Sequence, residues 1–310
     1  MNILISGGAG FLGSHIVDRL VEKNHHIFVL DNLLTGDKTN INEHIESNNI
    51  EFLNHDVQNY IEVDEDLDVV MHLASAASPK AYTQFPINTL KAGSIGTINT
   101  LGLAKNKKAK YLLTSTSEIY GNPKESPQKE TYWGNVNPIG PRSMYDEAKR
   151  FSEACVTCYN NIHNLNTRIV RLFNTYGPRM KLNDGRVVTN FIYQALKNEN
   201  ITVYGDGTQT RSFCFVTDTV EGIIKALDSN SGEVFNIGNS QEITVNQLAE
   251  TIIKLTNSSS KIEYKELPID DPLKRKPDIT KARDLLDWQP NVGLEEGLQK
   301  TINWVNSQIN

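Results

Sequence analysis

Short apolar runs recur at intervals through the first half of the chain. They are Asn2-Ile3-Leu4-Ile5-Ser6, His26-Ile27-Phe28-Val29-Leu30, Ile50-Glu51-Phe52-Leu53, Asp68-Val69-Val70-Met71-His72-Leu73, Tyr111-Leu112-Leu113-Thr114 and Thr167-Arg168-Ile169-Val170-Arg171-Leu172. Each has the length of a strand, and most are apolar throughout, as strands buried on both faces are. Between them lie longer stretches with helical spacing, from about Gly10 to Asn24, from Asn88 to Lys107, and through Tyr145. Strands alternating with helices of this length predict an α/β fold, a doubly wound parallel sheet with right-handed crossovers and helices on both faces. After Phe173 the segments shorten and Gly and Pro punctuate them, at Gly177-Pro178, Gly205-Asp206-Gly207, Pro268, Pro272, Pro277 and Pro290. This half reads as a smaller lobe interleaved with the last of the sheet, with Gly232–Gly238 as a strand returning to it. Asn257–Ser260 and the acidic stretch Glu62–Asp66 read as solvated loops, and there is no internal repeat.

Composition narrows the classes. At 310 residues the chain can bury a large core. A net charge of −6 argues against a nucleic-acid binder. No apolar run is long enough to span a bilayer, and Met1–Ser6 reads as a buried strand rather than a leader, so a cytoplasmic protein without membrane attachment is expected. Cys155 and Cys158 have a C-x-x-C spacing but no second ligand pair. With Cys214 they read as small buried thiols in a reducing compartment, and no metal is expected.

The first strand runs into Gly7-Gly8-Ala9-Gly10-Phe11-Leu12-Gly13, which opens a helix. Small residues there let the backbone approach a pyrophosphate, and the helix N-terminus offers N–H donors and positive dipole. A glycine turn can also serve packing alone. Asp31 ends the second strand about 20 residues further on, where a ribose-binding carboxylate belongs. No arginine adjoins it, since Asn32, Leu33 and Leu34 follow, so NAD is preferred to NADP. Residues 1–174 are therefore expected to form an NAD-binding Rossmann domain, completed by strands within 211–240. Residues 175–310 are expected to be mainly a discontinuous substrate-binding lobe.

Tyr145 and Lys149, four apart on a helix, lie on one face, where an ammonium beside a phenol favours the phenolate and suits the tyrosine to general-base work. Alone the spacing also fits an ordinary helix face. The strand ending at Thr114 delivers Ser115-Thr116-Ser117-Glu118 to the carboxyl end of the sheet, where ligands of such folds bind. A hydroxyl there can share a proton with a substrate alcohol and Tyr145, or can simply cap a turn.

Together, the glycine fingerprint, Thr116-Ser117-Glu118-Ile119-Tyr120-Gly121 and Tyr145-x-x-x-Lys149 resemble the extended short-chain dehydrogenase/reductase family. Similarity is greatest to its members that decarboxylate UDP-glucuronate. It runs through Tyr132–Arg142, Phe173–Met180, Asp184–Val188, Val203–Arg211 and Asp270-Asp271-Pro272-Leu273-Lys274-Arg275-Lys276-Pro277-Asp278-Ile279. The resemblance implies conversion of UDP-glucuronate to UDP-xylose and carbon dioxide through a 4-keto intermediate, with NAD regenerated. It implies Tyr145 as the base at the C4 hydroxyl, Lys149 lowering its pKa and holding the nicotinamide ribose, and Thr116 on the C4 oxygen. Glu118 and Arg275 are implied at the sugar carboxylate and C5, with Ser117 secondary. Gly7, Gly10, Phe11, Leu12, Gly13, Asp31, Asn32, Thr35, Asp56, Val57, Leu73 and Ser75 match cofactor-lining positions. Lys91, Asn174, Arg186, Tyr204, Arg211 and Arg275 match positions facing the nucleotide sugar. A homodimer paired through the Asn88–Lys107 and Tyr145–Asn160 helices is implied as well. The chain departs from relatives at Ala76 and at Ala92-Gly93, where they often carry Thr-Asn. A 4-epimerase, a decarboxylase that releases the 4-ketopentose, and a non-catalytic NAD sensor are the competing readings.

Overall fold

The computed structural model describes residues 1–182, 184–266 and 274–309. Pro268 and the Asp270, Asp271, Pro272 and Leu273 portion of the C-terminal motif lie outside the described residues.

Six strands of the first half enter one sheet: β1 (Asn2–Ser6), β2 (His26–Asp31), β3 (Ile50–Asn54), β4 (Val69–His72), β5 (Lys110–Thr116) and β6 (Thr167–Leu172). The strand Glu233–Ile237 joins beside β6, as the sequence pattern predicted, and the order across the sheet is Glu233–Ile237, β6, β5, β4, β1, β2, β3. Every neighbouring pair in it is parallel. The uninterrupted apolar runs follow from this arrangement, because the inner strands β1, β4 and β5 are covered on both faces. Along β1, Ile3 and Ile5 enter one core cluster and Leu4 the other. The first cluster continues through Phe191, Ile192, Leu248, Trp288 and Leu298, and so joins one face of the sheet to the C-terminal half. The second includes Leu101, Leu103, Ala104 and Val156 from the long helices.

Among the helices of the first half are α1 (Phe11–Glu22), α2 (Asn42–Glu46), α3 (Pro79–Gln84), α4 (Pro86–Lys91), α5 (Thr97–Lys107) and α6 (Ser143–His163). The continuous helix expected over Asn88–Lys107 is broken by a π-helical turn at Ala92–Gly96. Hydroxyls enter the backbone ladder there: Gly93 O accepts from Ser152 Oγ at 2.6 Å and Thr97 Oγ1 at 2.9 Å. α6 also packs too close for a side chain at position 93, where a Cβ would stand 2.7 Å from Ala148 Cβ. Inserted hydroxyls and π bulges are recognised causes of helix distortion, frequent at functional sites.

The buried face of α6 carries Tyr145, Asp146, Ala148, Lys149, Ser152 and Val156. Four of these six bear polar side-chain atoms, so packing alone does not account for the face. The expectation of three buried thiols is corrected. Cys214 is buried, but Cys155 is only half-buried and Cys158 is exposed, because both lie on α6 away from its buried face. Among the described residues, no helix is long and apolar enough to cross a membrane, and no cluster of His, Cys, Asp or Glu could hold a metal ion.

An ion pair fastens α6 to the sheet. Arg171 on β6 donates Nε to Glu153 Oε1 at 3.0 Å and Nη2 to Oε2 at 2.8 Å. Its Nη1 reaches Tyr120 OH and Glu130 O at 2.9 and 2.7 Å, and Ser115 Oγ donates to Glu153 Oε1 at 2.6 Å. Removing one member of such a pair leaves the other charge poorly solvated. Arg171→Leu is expected to cost about 3–5 kcal/mol in urea unfolding. A loss below about 1 kcal/mol would place the pair with ordinary surface bridges.

Candidate active site

A cleft of ≈ 1180 Å³ opens at the carboxyl ends of the parallel strands. At one end, the turn after β1 is shaped by its glycines. Gly7 has φ +77°, and a Cβ there would stand 2.8 Å from the Ala74 backbone; one at Gly13 would lie 2.2 Å from Gly7 O. Only glycine lets α1 begin so close to the strand end, leaving the turn open to the cleft. Asp31 ends β2 buried, its Oδ2 accepting from Ala9 N at 3.1 Å and its Oδ1 from Leu33 N at 2.8 Å. Burial raises its pKa, and the two N–H groups act against that rise. A Cβ at Gly36 would come within 3.0 Å of both carboxylate oxygens, so side-chain-free space lies beside them. Asn32 Nδ2 bonds Asp56 Oδ2 at 2.9 Å and helps frame the same end. A diol of a dinucleotide fits this acidic, glycine-walled pocket, and a pyrophosphate fits the α1 N-terminus.

Deeper in, the tyrosine and its neighbours converge. Thr116 ends β5, accepts a hydrogen bond from Glu118 N at 3.2 Å to cap the 3₁₀ turn Ser117–Tyr120, and hydrogen-bonds the Tyr145 phenol. The two readings of this hydroxyl, cap and proton partner, thus describe one residue. Burial pushes the phenol up to about 12; Thr116 and the Arg186 charge pull the other way, while Glu118 and Asp146 add to the rise. Lys149 Nζ, one turn along α6, donates to Thr114 O at 2.8 Å. Burial pushes this ammonium down to about 8, with Glu153 opposing.

Glu118 sits between two guanidiniums. Arg275 Nη1 donates to its Oε1 and Arg142 Nη2 to its Oε2. Burial alone would raise the Glu118 pKa, but the two cations outweigh it and hold the carboxyl below the usual range. Arg275 is 3% exposed, donates Nη2 to Gly121 O at 3.1 Å, and its Nε has no partner among the described residues. The sequence brings it there through a short strand. Lys274–Arg275 pairs in parallel with Thr210–Ser212, placing Arg275 in register with Arg211. Gln128 then anchors the next residue on both sides, Gln128 N donating to Lys276 O at 2.8 Å and Lys276 N to Gln128 Oε1 at 2.9 Å.

Of the site residues named from sequence, all but Lys91 line this cleft, including Ser117, Phe11, Leu12, Thr35, Val57, Leu73, Ser75, Asn174 and Tyr204. Lys91 is not brought there. Asn88 and Ala92, one helical turn apart, take the inward positions, and Lys91 is exposed at the end of α4. Tyr82 and Arg142 also line the cleft, and neither received a role from the sequence. Tyr82 is buried with its ring stacked on Tyr145, centroids 5.4 Å apart and planes within 13°, and the Arg142 guanidinium lies 5.8 Å from the Tyr82 centroid. Ser78-Pro79 was a helix-start signal that could have pointed to Tyr82, since Ser78 Oγ caps α3 by accepting from Ala81 N at 3.3 Å. Arg142 stood within a quoted motif, immediately before α6.

A parallel sheet with a glycine-turned dinucleotide cleft and a Thr/Tyr/Lys set at its carboxyl edge defines an extended short-chain dehydrogenase/reductase. Residues 4–301 match the family described as GDP-mannose 4,6 dehydratase, and the chain belongs to it. It is 50% identical over 309 residues to UDP-glucuronic acid decarboxylase 1 of Xenopus tropicalis, covering 99% of this chain and 72% of that protein. Among solved structures it is similar to UDP-glucose 4-epimerase of Thermotoga maritima with UDP-glucose, at TM-score 0.90 and 31% identity with full coverage of both chains. It is also similar to UDP-glucuronic acid 4-epimerase of Bacillus cereus in complex with UDP-glucuronic acid and NAD, at TM-score 0.89 and 27% identity, covering 99% of this chain and 100% of that one.

The Lys149 ammonium opposes folding. Between about pH 8 and the ordinary 10.5, the unfolded chain keeps the proton that the folded chain has released. Stability from this group therefore rises with pH through that window. Lys149→Met is expected to raise the unfolding free energy at neutral pH by roughly 3 kcal/mol while abolishing turnover. The gain should fade as pH rises from 8 to 10.5, as followed by thermal melts. A pH-independent gain would show that the charge is not its source.

Proposed function

We propose that this protein decarboxylates UDP-glucuronate to UDP-xylose and carbon dioxide through a 4-keto intermediate, with NAD held in the glycine-turned cleft and regenerated each turnover. The observation that carries this reading is Glu118 clasped by Arg275 and Arg142 beside Thr116 and Tyr145. Identity of 50% to a protein named as that decarboxylase supports it.

A carboxylate on C5 of a sugar has no electron sink of its own, whereas a ketone at C4 makes the same group a β-keto acid. Bound NAD supplies reversible hydride exchange with C4, which creates that ketone and later removes it. Tyr145 takes the C4 hydroxyl proton and returns it, with Thr116 hydrogen-bonded to the same oxygen. Lys149 stabilises the phenolate that results. Arg275 holds the carboxylate, its Nε being a donor without a partner among the described residues, and Arg142 keeps Glu118 ionised beside it. Ser117 has a lesser part near C5. Gly7, Gly10, Phe11, Leu12, Gly13, Asp31, Asn32, Thr35, Asp56, Val57, Leu73 and Ser75 surround the cofactor. Asn174, Arg186, Tyr204 and Arg211 contact the nucleotide sugar, Tyr204 facing the uracil. Lys91, exposed in this structure, has no part in the reading.

The test is proton NMR of the purified protein with UDP-glucuronate and catalytic NAD. The UDP-xylose anomeric signal should grow without accumulation of NADH. UDP-galacturonate would make the chain a 4-epimerase. Stoichiometric NADH with a ketopentose would mark an enzyme that releases its intermediate, and bound NAD with unchanged sugar would mark a sensor. Glu118→Gln and Arg275→Ala are each expected to lower kcat/KM on the order of 10² or more with NAD affinity unchanged. Activity kept by both variants would remove the carboxylate-clasp reading.

The exposed apolar residues Leu90, Ile95 and Ile98 on α4 to α5, with Phe151 and Ile162 on α6, suit a homodimer that pairs these helices. Ile98→Glu combined with Phe151→Glu should turn a dimer into a monomer by light scattering. An unaltered mass would place the contact elsewhere.

A further inference from the structure

Residues 177–182 form a strap that lies against α1, and two hydrogen bonds fasten it there. Arg179 Nη1 donates to Asp18 Oδ2 at 2.7 Å, and His15 Nε2 donates to Pro178 O at 2.9 Å. His15 and Asp18 are three residues apart on α1 and so share one face of it. The chain turns sharply between the two contacts, Arg179 taking a left-handed φ of +65°. A residue with a side chain keeps that conformation only where its surroundings hold it. Neither His15 nor Asp18 lines the cleft, whereas Arg179, Met180, Lys181 and Leu182 do. The fastening thus lies outside the site, and what it fastens is one of the site's walls.

That wall belongs to the cofactor end. Met180 is 1% exposed and enters the core cluster, which fixes the strap beyond Arg179. Hydrogen bonds from Thr39 hold the Asp37 carboxyl below its usual range and the Lys181 ammonium adds to this, so Lys181 faces the loop that follows β2. Phe11, at the glycine turn, stands edge-on to His15 with centroids 5.8 Å apart and planes at 87°. Burial lowers the His15 pKa against the pull of Pro178 O, so a neutral ring with its hydrogen on Nε2 holds the strap. The proposed reaction makes a demand that these contacts meet. Hydride removed from C4 must return to the same carbon, and carbon dioxide departs in between. The protein must keep the reduced cofactor over that interval, since its loss would strand the sugar as a free 4-ketopentose. The glycine turn and Asp31 come from the first half of the chain, and the strap supplies the facing wall from the second.

We propose that Asp18, with His15, is a positioning residue that latches the strap over the dinucleotide and so keeps the reduced cofactor in place until hydride returns to C4. Asp18 acts through Arg179 and from outside the cleft. His44 Nε2 donates to its other oxygen, Oδ1, at 2.9 Å, which holds the carboxylate in the rotamer that meets Arg179. The Asp18 and Arg179 side chains are 29% and 28% exposed. A charged hydrogen bond at that exposure stands between a surface bridge and a buried one. It is strong enough to slow opening of the strap and weak enough to let the cofactor exchange.

This inference rests on the reading that hydride taken from C4 is returned, and the experiment separates the two. Dissociation of NADH from the purified protein is followed, without sugar, by the loss of its bound fluorescence on mixing with excess NAD. Asp18→Asn should speed release roughly five- to tenfold, as loss of one partly exposed charged hydrogen bond would. Asp18→Glu should recover most of the wild-type dwell. Arg179→Gly accepts the left-handed backbone and should release NADH at least as fast as Asp18→Asn. Adding Asp18→Asn to it should change nothing further, because Asp18 acts only through that guanidinium. Arg19→Gln breaks an ion pair from the next residue of α1, to Glu221 at 2.6 Å, and should leave release unchanged. With UDP-glucuronate, Asp18→Asn should yield ketopentose and matching NADH beside UDP-xylose. Wild-type release in Asp18→Asn, equal acceleration by Arg19→Gln, or additive effects in the double variant would overturn the proposal. A wild type that makes no UDP-xylose would instead overturn the reading beneath it, the NADH rates still deciding the latch.

Discussion

Everything at the sugar end of this cleft depends on a carboxylate shared by two guanidiniums. Arg142 stands at the threshold of α6, whereas Arg275 comes from a strand near the end of the chain, 157 residues from Glu118. Burying three charges is favourable only because each desolvated group meets an opposite one. The clasp sets the rotamer of Glu118, and Glu118 in turn fixes the approach of Arg275 to the turn below β5. The same contact joins the C-terminal strand to the sheet, reinforced by the backbone and side-chain bonds of Gln128. An interaction that would add little on the surface here decides where the two halves of the site meet.

A second constraint runs along α6. The helix places a phenol, a carboxyl and an ammonium on its buried face, where apolar side chains would pack at lower cost. The hydroxyl of Thr116 and the carbonyl of Thr114 meet some of that demand. Stability is thereby spent on holding charge ready, in keeping with the usual opposition between active-site preorganisation and folding free energy.

Local chemistry made much of this legible from the sequence. β1 and β6 begin and end where their apolar runs do, because parallel central strands are buried on both faces. The glycine turn and Asp31 stood out because close backbone approach and a strand-end carboxylate leave a spacing that survives without coordinates. What could not be read depended on contacts across the chain. The π turn at Ala92–Gly96 arises from Ser152, far along the sequence. Lys91 looked like a site residue until helix phase turned it outward, and Cys155 and Cys158 looked buried because helical rotation was not resolved by their spacing. Tyr82 was passed over because stacking on Tyr145 is a tertiary event that its own segment does not announce. The clasp around Glu118 needed a motif resemblance before Arg275 could be distinguished from its basic neighbours Lys274 and Lys276.

The touching backbones of the π turn and α6 bear on how this sequence can change. Any residue larger than glycine at position 93 needs room that Ala148 occupies, and Ala148 is the immediate neighbour of Lys149. The two positions are therefore epistatic: position 148 must shrink before position 93 can grow. A lineage, or a library, that samples them one at a time in the other order meets a barrier in the first step. The permitted mutational path thus runs in one direction through the residue that borders the ammonium.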